Sequence, residues 1–353
     1  MSPAPPAHRS ADPAGETTGT TSDLATAVAA EIGNATRGLA QAYQELSDLY
    51  RGGGATPDDS RLTQRHVHAY LAARLPATLA VDRAVFDAVV RRRPDWHPAS
   101  VLDLGAGPGT AVWAAAEAFP SLRRAALVEQ ASAMIDAGRR LAARSASAAV
   151  RAATWHRASV SAPPAEPADL VVASFVLGEL PDDTLVETVD RWWDLTRGEL
   201  VVVEPGTPAG FARLRRVRDR LIAAGATISA PCPSDAACPM TGDDWCHFAT
   251  RVTRSGVHRV VKGGELGFED EKFAYLSASR QNPAHAPARV LRAPQIRPGH
   301  IRLTVCEAPE MREAVVAKSR KDAFRWARKA HWGDEVPPGT LKDDRRKGDR
   351  DPA

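Results

Sequence analysis

Residues 101–110 read VLDLGAGPGT, an apolar run that ends in three closely spaced glycines. The run predicts a buried strand, and GTAVWAAAEAFP directly after it predicts a helix. Gly105, Gly107 and Gly109 allow the backbone to approach a ligand closely and leave helix N–H groups facing it. The segment therefore predicts a cofactor-binding turn between a strand and a helix.

An acidic residue, Glu129, ends the next strand-like run, RRAALVEQ. A carboxylate at this point accepts hydrogen bonds from both hydroxyls of a ribose. The third glycine arrives early, as G-x-G-x-G rather than G-x-G-x-x-G, which disfavours a dinucleotide as the ligand. The pattern favours a nucleoside-type cofactor; the alternative is a related domain that has lost its ligand.

Strand-like and helix-like segments alternate from 99 to 204, and five apolar strands are separated by helices. This alternation predicts a parallel sheet covered by helices on both faces. Trp192 and Trp193 lie in one of these helices and are expected to be core residues.

The glycine loop and its terminal acid resemble motif I of the class I S-adenosylmethionine-dependent methyltransferases. The resemblance implies a cofactor site in which Asp103 accompanies the glycines. It places Ser159 near the adenine, Ser174 and Phe175 beside the methyl donor, and Glu179 and Glu204 at the catalytic mouth. Helix capping or simple solvation is the alternative interpretation of these last residues.

Three of the four cysteines, Cys232, Cys238 and Cys246, are clustered, and Cys306 follows in the strand-like run HIRLTVCEA. Clustered thiols after a long cysteine-free stretch favour a metal centre. The spacing is too open for a zinc knuckle and suits a [4Fe–4S] cluster, which takes one thiolate at each corner. Zinc, bound by the four cysteines or by three and His247, is the alternative, and four free thiols are a further one.

The pattern C-x5-CP-x5-WCHF, then R-x2-R, then FEDEKFAYL and a strand cysteine, is more specific. It resembles the methyltransferase-like small-ribosomal-subunit assembly family, which includes a mitochondrial assembly factor and bacterial relatives. The match covers roughly residues 40–310. It implies a class I methyltransferase core, a cluster held by the four cysteines, and association with small-subunit rRNA.

Basic residues follow the cysteine segment, and Arg251, Arg254, Arg259 and Lys262 are expected to line one side of an extended or hairpin segment. Further along, Phe324, Trp326 and Trp332 alternate with cations. Cations neutralise phosphates and aromatic rings stack on unpaired bases, so both segments are candidates for RNA contact. The alternative for the second segment is an amphipathic helix with its aromatics on the core.

The bulk properties are those of a soluble protein: 353 residues, a net charge of +3 and no apolar run long enough to cross a bilayer. The N-terminus has no apolar h-region, so a secretory signal is not expected. We therefore expect a cytoplasmic protein that does not enter membranes and is monomeric away from the ribosome.

The predicted fold is α/β: a class I, Rossmann-like methyltransferase sheet with an N-terminal helical cap and a Cys-rich, β-rich C-terminal segment. The cap is expected to have three helices, over 23–50, 61–75 and 77–92, with a break at Gly52–Gly54 after the first and Pro76 ending the second. In that fold VHRVVKG is expected to be a short strand. The predicted divisions are a disordered terminus (1–22), the cap (23–95), the cofactor-binding core (96–226), the cluster and last strands (227–310), and a basic tail (311–353).

The expected function is that of an S-adenosylmethionine-dependent rRNA methyltransferase with a structural [4Fe–4S] cluster, acting on the small ribosomal subunit or its precursor. A non-catalytic assembly factor of the same fold and a small-molecule methyltransferase with a zinc site are the alternatives. The position after the fourth strand reads SFVLG rather than the N-P-P-[YF]-like motif that positions an amine. The sequence therefore does not identify the atom that would accept the methyl group.

Overall fold

The computed structural model describes residues 23–51 and 62–341; the predicted disordered terminus, the Gly52–Gly54 break and the end of the basic tail lie outside these ranges. The helices are α1 (Asp23–Ile32), α2 (Leu39–Arg51), α3 (Gln64–Ala73), α4 (Leu75–Arg92), α5 (Thr110–Ala118), α6 (Ser132–Ala142), α7 (Ala148–Arg151), α8 (Leu185–Asp194), α9 (Pro208–Ala223), α10 (Gly256–Lys262) and α11 (Lys321–Ala327). The strands are β1 (Ser100–Leu104), β2 (Arg124–Glu129), β3 (Thr154–Arg157), β4 (Ala168–Ser174), β5 (Thr196–Pro205), β6 (Thr227–Ala230), β7 (Phe248–Thr253), β8 (Phe268–Ser279), β9 (Arg289–Val290), β10 (Gln295–Arg297), β11 (His300–Glu307) and β12 (Glu310–Ala317). Within these ranges no helix has the length and apolar character needed to cross a membrane.

The main sheet has the order β3-β2-β1-β4-β5-β8-β6, with β7 also paired to β8. Strands β1 to β5 run parallel, whereas β8 is antiparallel to both β5 and β6. The strand order reverses between β1 and β4, so a crevice opens there at the carboxyl ends of the strands, where ligands bind in open α/β sheets. The predicted class I methyltransferase fold is confirmed.

Helices cover both faces of this sheet, and the side chains of each strand alternate between two cores. On β4, Leu170 and Val172 face the core shared with α4 and α5, while Val171 and Ala173 face the core shared with α8 and α9. Trp192 and Trp193 are buried in the second core, as predicted. Strands buried on both faces explain why these segments read as continuous apolar runs.

The N-terminal cap consists of α1 to α4, one helix more than the predicted three. The expected helix over 23–50 is divided at Gly33, whose φ is +50°. Pro76 does not end a helix; it lies in the first turn of α4, where its missing N–H is not needed. At the other end of α4, Arg93 forms a buried ion pair with Glu199 of β5 and fastens the cap to the sheet.

A second, smaller sheet, β10-β11-β12 with β9 paired to β11, follows the main sheet. Its core contains Val290, Leu303 and Val316. Strand β12 lies inside the segment expected to be a tail and was not predicted. The predicted strand VHRVVKG was wrong: it forms α10, because Ser255 caps its first turn with a 3.1 Å bond from the His258 amide and Gly263 ends it in the left-handed conformation.

Candidate cofactor loop and four-thiol cavity

The glycine loop connects β1 to α5, and all three glycines have positive φ values of 71°, 52° and 86°. A Cβ on Gly105 would lie 2.6 Å from Val176, and one on Gly109 would lie 3.0 Å from Leu127. Gly107 differs, because its nearest neighbour is the hydroxyl of Tyr70 at 3.7 Å. Two glycines are therefore required by packing, and the middle one faces space beneath the cap helix α3.

Glu129 lies at the carboxyl end of β2, next to this loop. Its carboxylate accepts hydrogen bonds from the amides of Gly107 (2.8 Å), Gln130 (2.9 Å) and Ala131 (2.8 Å). The predicted terminal acid is thus held in one orientation against the loop. Ser159 follows β3; its side chain is exposed and accepts a 3.2 Å bond from the amide of Ser161.

Three buried polar atoms around this loop have no hydrogen-bond partner: Oδ2 of Asp82, Oδ2 of Asp103 and Oγ1 of Thr110. The three residues are at most 3% exposed. Buried polar groups are almost always paired, so unpaired ones call for a specific explanation. A polar ligand in the crevice would provide one, and this donor and acceptor set fits the cofactor that the glycine loop predicts.

The end of β4 meets the cap directly. The Ser174 hydroxyl donates a 2.7 Å hydrogen bond to Oδ1 of Asp82 on α4. Phe175 has a φ of +59°, a rare conformation for a bulky side chain, and Arg74 lies over its ring at 5.4 Å. Unusual backbone geometry of this kind is concentrated at ligand-binding sites.

The two glutamates expected at the catalytic mouth have different surroundings. Glu204 is fully buried, accepts a 3.1 Å bond from the Leu177 amide and forms a 2.8 Å ion pair with Arg213. Burial raises the pKa of Glu204, while Arg213 opposes that rise. Glu179 lies in a short 3-10 turn and is partly exposed. The packing of Glu204 indicates a structural role.

Sequence reasoning missed Asp82 and Tyr70. Both come from the cap, and neither belongs to a recognisable motif. A carboxylate on the apolar face of a predicted helix was the available signal for Asp82. Tyr70 gave no signal, because aromatic residues are common on buried helix faces.

All four cysteines line one cavity of about 70 Å³, several times the space that one water molecule needs. Cys232 and Cys238 come from the loop after β6, Cys246 precedes β7, and Cys306 lies on β11. The cavity therefore lies between the main sheet and the second sheet. The predicted ligands are brought together from segments that are distant in sequence.

Burial raises the pKa of Cys246, and it raises the pKa of Cys306 to about 12; in both, neighbouring thiols add to the effect of burial. Burial also raises the pKa of Cys232, against the lowering effect of Arg218. Across residues 23–51 and 62–341, no three His, Cys, Asp or Glu side chains form a group that could hold a metal ion. His247, the alternative zinc ligand, instead stacks on Trp245 with ring centroids 5.1 Å apart.

Two arginines hold the cysteine loop in place. Arg218 of α9 donates hydrogen bonds to the carbonyls of Ser234 (2.9 Å) and Ala236 (2.6 Å). Arg289, which lies beside Cys306 in the β9–β11 pairing, donates to the carbonyl of Pro231. These guanidinium groups bring positive charge to a cavity lined by thiols.

Of the four basic residues predicted to contact RNA, two are exposed and two are partly buried. Arg254 and Lys262 each form a 2.6 Å bond with Glu269, and their side chains are only 14% and 13% exposed. Burial alone would raise the pKa of Glu269, but the bonds from Lys262 and Arg254 lower it. Arg251 is more exposed; it pairs with Asp270 at 3.0 Å and lies 4.1 Å from the centre of the Phe268 ring. Arg259 is exposed on α10.

The aromatic residues of the C-terminal segment are not free for stacking. Phe324 and Trp326 pack against the core of the second sheet, and Trp332 packs against the main core beside His247. The alternative interpretation of this segment, an amphipathic helix with its aromatics on the core, is the one that the structure supports.

Solved methyltransferase structures resemble this chain weakly. The magnesium protoporphyrin IX methyltransferase of Synechocystis, solved with bound SAM, matches 75% of this chain and 100% of its own, with 12% identity and a TM-score of 0.40. An O-methyltransferase family protein of Burkholderia thailandensis matches 74% of each chain, with 12% identity and a TM-score of 0.42.

Two curated relatives share a higher sequence identity with this chain than these solved structures do. The human mitochondrial ribosome assembly protein METTL17 is 30% identical over 288 residues, which are 76% of this chain and 62% of that protein. The mitochondrial Rsm22-cox11 tandem protein 2 of Schizosaccharomyces pombe is 24% identical over 330 residues, covering 78% of this chain and 44% of that protein. The chain thus spans less than two thirds of the length of either relative.

These relatives contradict the predicted cytoplasmic location, because each is described as mitochondrial. The prediction rested on the lack of an apolar h-region, and that criterion detects secretory signals but not mitochondrial ones, which are amphipathic and Arg-rich. The resemblance drawn from the cysteine pattern and the glycine loop is confirmed. Since the family described as mitochondrial small ribosomal subunit Rsm22 matches residues 64–337, the chain belongs to that family.

Proposed function

We propose that this protein binds S-adenosylmethionine and acts in the assembly of the small ribosomal subunit, with a [4Fe–4S] cluster that stabilises its C-terminal half. The observation that carries the proposal is the extent of the family match. Residues 64–337 include the glycine loop, helices α3 and α4 of the cap and all four cysteines. The human relative, which matches 76% of this chain, is named a ribosome assembly protein.

The cofactor site would be formed by Gly105, Gly107, Gly109 and Glu129, with Asp103 beneath them. The unpaired oxygens of Asp82, Asp103 and Thr110 support a polar ligand at this position. When bound, S-adenosylmethionine supplies an electrophilic methyl group on a sulfonium. The chain would orient the cofactor through the loop amides and close over it with Tyr70 of the cap.

The cluster site would use Cys232, Cys238, Cys246 and Cys306. A zinc ion draws all its thiolates to about 2.3 Å from one point, whereas a [4Fe–4S] cluster takes each thiolate at a separate corner. The four thiols line one cavity, and their open spacing in the sequence suits the second case better. A bound cluster would join the loop after β6 to strand β11, so part of its binding free energy would become folding free energy.

The RNA-binding surface would centre on Arg251 and Arg259. Both side chains are accessible, and Val260, Leu266 and Phe268 are exposed hydrophobic residues near them in the chain. Guanidinium groups contact phosphates, and an exposed ring can stack on an unpaired base. Arg254 and Lys262, predicted with them, would act indirectly by holding Glu269 and the β7–β8 hairpin.

Methyl transfer to rRNA is the leading form of this function. The non-catalytic alternative has one observation in its favour: Glu204 and Ser174, which border the proposed methyl donor, are both engaged within the protein. Glu204 pairs with Arg213, and Ser174 bonds to Asp82. A catalytic version would need its proton acceptor from the bound RNA or from another side chain.

Crosslinking in cells tests the proposal and separates its two forms. The protein is crosslinked to RNA, its sites are mapped, and rRNA methylation is compared between wild-type cells and cells lacking the protein. Crosslinks in small-subunit rRNA with one methyl group lost on deletion support the enzyme. The same crosslinks without any methylation change support the assembly factor, and crosslinks elsewhere overturn both.

A further inference from the structure

The carboxylates of Asp82 and Asp103 are the most unusual polar groups in the described part of the chain. Each residue is 1% exposed, and each has one oxygen without a hydrogen-bond partner. Within residues 23–51 and 62–341, no Lys or Arg forms an ion pair with either of them. Buried acids are normally paired, so this arrangement calls for a cation that the protein itself does not supply.

The two carboxylates come from different parts of the fold. Asp103 belongs to β1, immediately before the glycine loop, whereas Asp82 belongs to α4 of the cap. The Ser174 hydroxyl holds Oδ1 of Asp82 at 2.7 Å and leaves Oδ2 unpaired. Strands β1 and β4 are neighbours in the sheet, with Leu104 beside Ala173, and the charge of Asp82 acts on Asp103, so both acids lie near the switch point of the strand order.

Electrostatics link the two groups. Burial raises the pKa of Asp103 well above its usual range, and the charges of Asp82 and Glu129 raise it further. The pKa of Tyr70, whose hydroxyl lies above Gly107, is likewise raised to about 12, mainly by burial and also by Asp82 and Glu129. Asp82 therefore belongs to the same electrostatic environment as the glycine loop.

A primary ammonium group is the cation that suits two unpaired carboxylate oxygens and a hydroxyl. It has three N–H donors, no acceptor and a compact charge. The amino-acid moiety of S-adenosylmethionine carries such a group. We propose that Asp82 of the cap binds the α-ammonium group of the cofactor beside Asp103, which the motif I resemblance already assigns to the site, so that the cap completes the cofactor site. This inference rests on the proposed binding of S-adenosylmethionine.

The test compares two ligands and two variants of the full-length protein. S-adenosylhomocysteine carries the amino-acid moiety, and 5′-methylthioadenosine lacks it; neither has a sulfonium. Asp82→Asn keeps the size of the side chain and an acceptor for Ser174 but removes the charge. Asp87→Asn, an exposed position on the same helix, is the matched control. Calorimetry gives the affinities, and thermal unfolding with and without ligand gives a second measurement.

We expect Asp82→Asn to lower the affinity for S-adenosylhomocysteine by about tenfold or more, which is the usual scale for one charge-assisted hydrogen bond. The affinity for 5′-methylthioadenosine should change by less than about twofold. The ligand-free variant should melt higher than the wild type, because a buried charge is gone, and should gain less from S-adenosylhomocysteine. Asp87→Asn should resemble the wild type in every measurement.

Other outcomes overturn the inference in distinguishable ways. If Asp82→Asn binds S-adenosylhomocysteine as the wild type does, Asp82 does not contact the ammonium and the two acids share a proton instead. If the affinities for both ligands fall equally, Asp82 affects binding only by maintaining the folded structure. If the wild type binds neither ligand, the proposed cofactor itself is wrong, and the assignment of Asp82 fails with it.

Discussion

The amide of Gly107 donates a 2.8 Å hydrogen bond to Oε2 of Glu129, which ties the centre of the glycine loop to the end of β2. The loop is therefore shaped before any ligand arrives. Preorganisation of this kind lowers the entropy lost on binding. It also makes Gly107 the most direct position at which to test the cofactor site.

Gly107→Arg should abolish binding of S-adenosylhomocysteine, because its side chain would enter the space between the loop and Tyr70. Gly225→Arg is the matched control: its φ is +85°, and no atom lies within 4 Å of its Cβ position. Both variants place a large residue at positive φ, so their thermal midpoints should fall similarly. Calorimetry should then separate them, and retained binding by Gly107→Arg would place the ligand elsewhere.

Cys238→Ser should release iron and destabilise the segment around the cavity while the parallel sheet stays folded. Protein purified without oxygen should contain about four irons and four sulfides per chain, and the variant far less. Asp243→Asn, exposed in the same loop, should keep its iron. Metal analysis with limited proteolysis measures both effects. One zinc per chain in a colourless wild-type preparation would contradict the cluster.

Arg251→Ala with Arg259→Ala should weaken rRNA binding alike across sequences. The slope of log K against log salt should become shallower by about 0.7–0.9 for each phosphate that the double variant no longer neutralises. The control is Arg139→Ala, an exposed arginine on α6. Fluorescence titrations at several salt concentrations measure the slope. An unchanged slope in the double variant would exclude this surface.

Arg93→Met should lower the free energy of unfolding by about 3–5 kcal/mol, because it leaves the buried carboxylate of Glu199 without its cation. Adding Glu199→Leu should recover much of that loss. The exposed pair of Arg83 and Glu117 is the comparison, and Arg83→Met should cost less than about 1 kcal/mol. Denaturant unfolding measures all four proteins; equal losses at the two sites would refute the role of Arg93.

The ligand-free protein should lose stability as pH rises because of Asp82. Burial raises the pKa of Asp82 from 3.8 to about 7, so the folded state keeps a proton that the unfolded state releases. This contribution is complete below pH 3.8 and is lost as pH rises to about 7. The difference in unfolding free energy between Asp82→Asn and the wild type should therefore grow across that window; a constant difference would contradict the assignment.

Local patterns predicted the parts of the site that are contiguous in sequence. The glycine loop follows a strand, Glu129 ends the next one, and both facts can be read from short segments. The convergence of the four cysteines was predicted from the clustering of three and from the family resemblance, which adds Cys306. The structure places all four around one cavity, and the bound metal stays a prediction. Helix α10 was missed because Val257, Val260 and Val261 favour a strand, while the capping residues Ser255 and Gly263 decide the outcome.

Relationships that depend on docking could not be predicted. Asp82 reaches the site only because α4 packs over the carboxyl end of β4. Glu269 forms ion pairs with Arg254 and Lys262 because the pairing of β7 with β8 places Glu269 opposite Val252. No sequence spacing contains that register, so these basic residues looked free for RNA.

The role in small-subunit assembly is tested most directly by gradient sedimentation of ribosomes from cells that lack this protein. We predict that mature small subunits decrease, that their precursor accumulates, and that the wild-type gene restores the profile while the gene carrying Cys238→Ser does not. An unchanged ratio of small to large subunits in the deleted cells would contradict the proposed function.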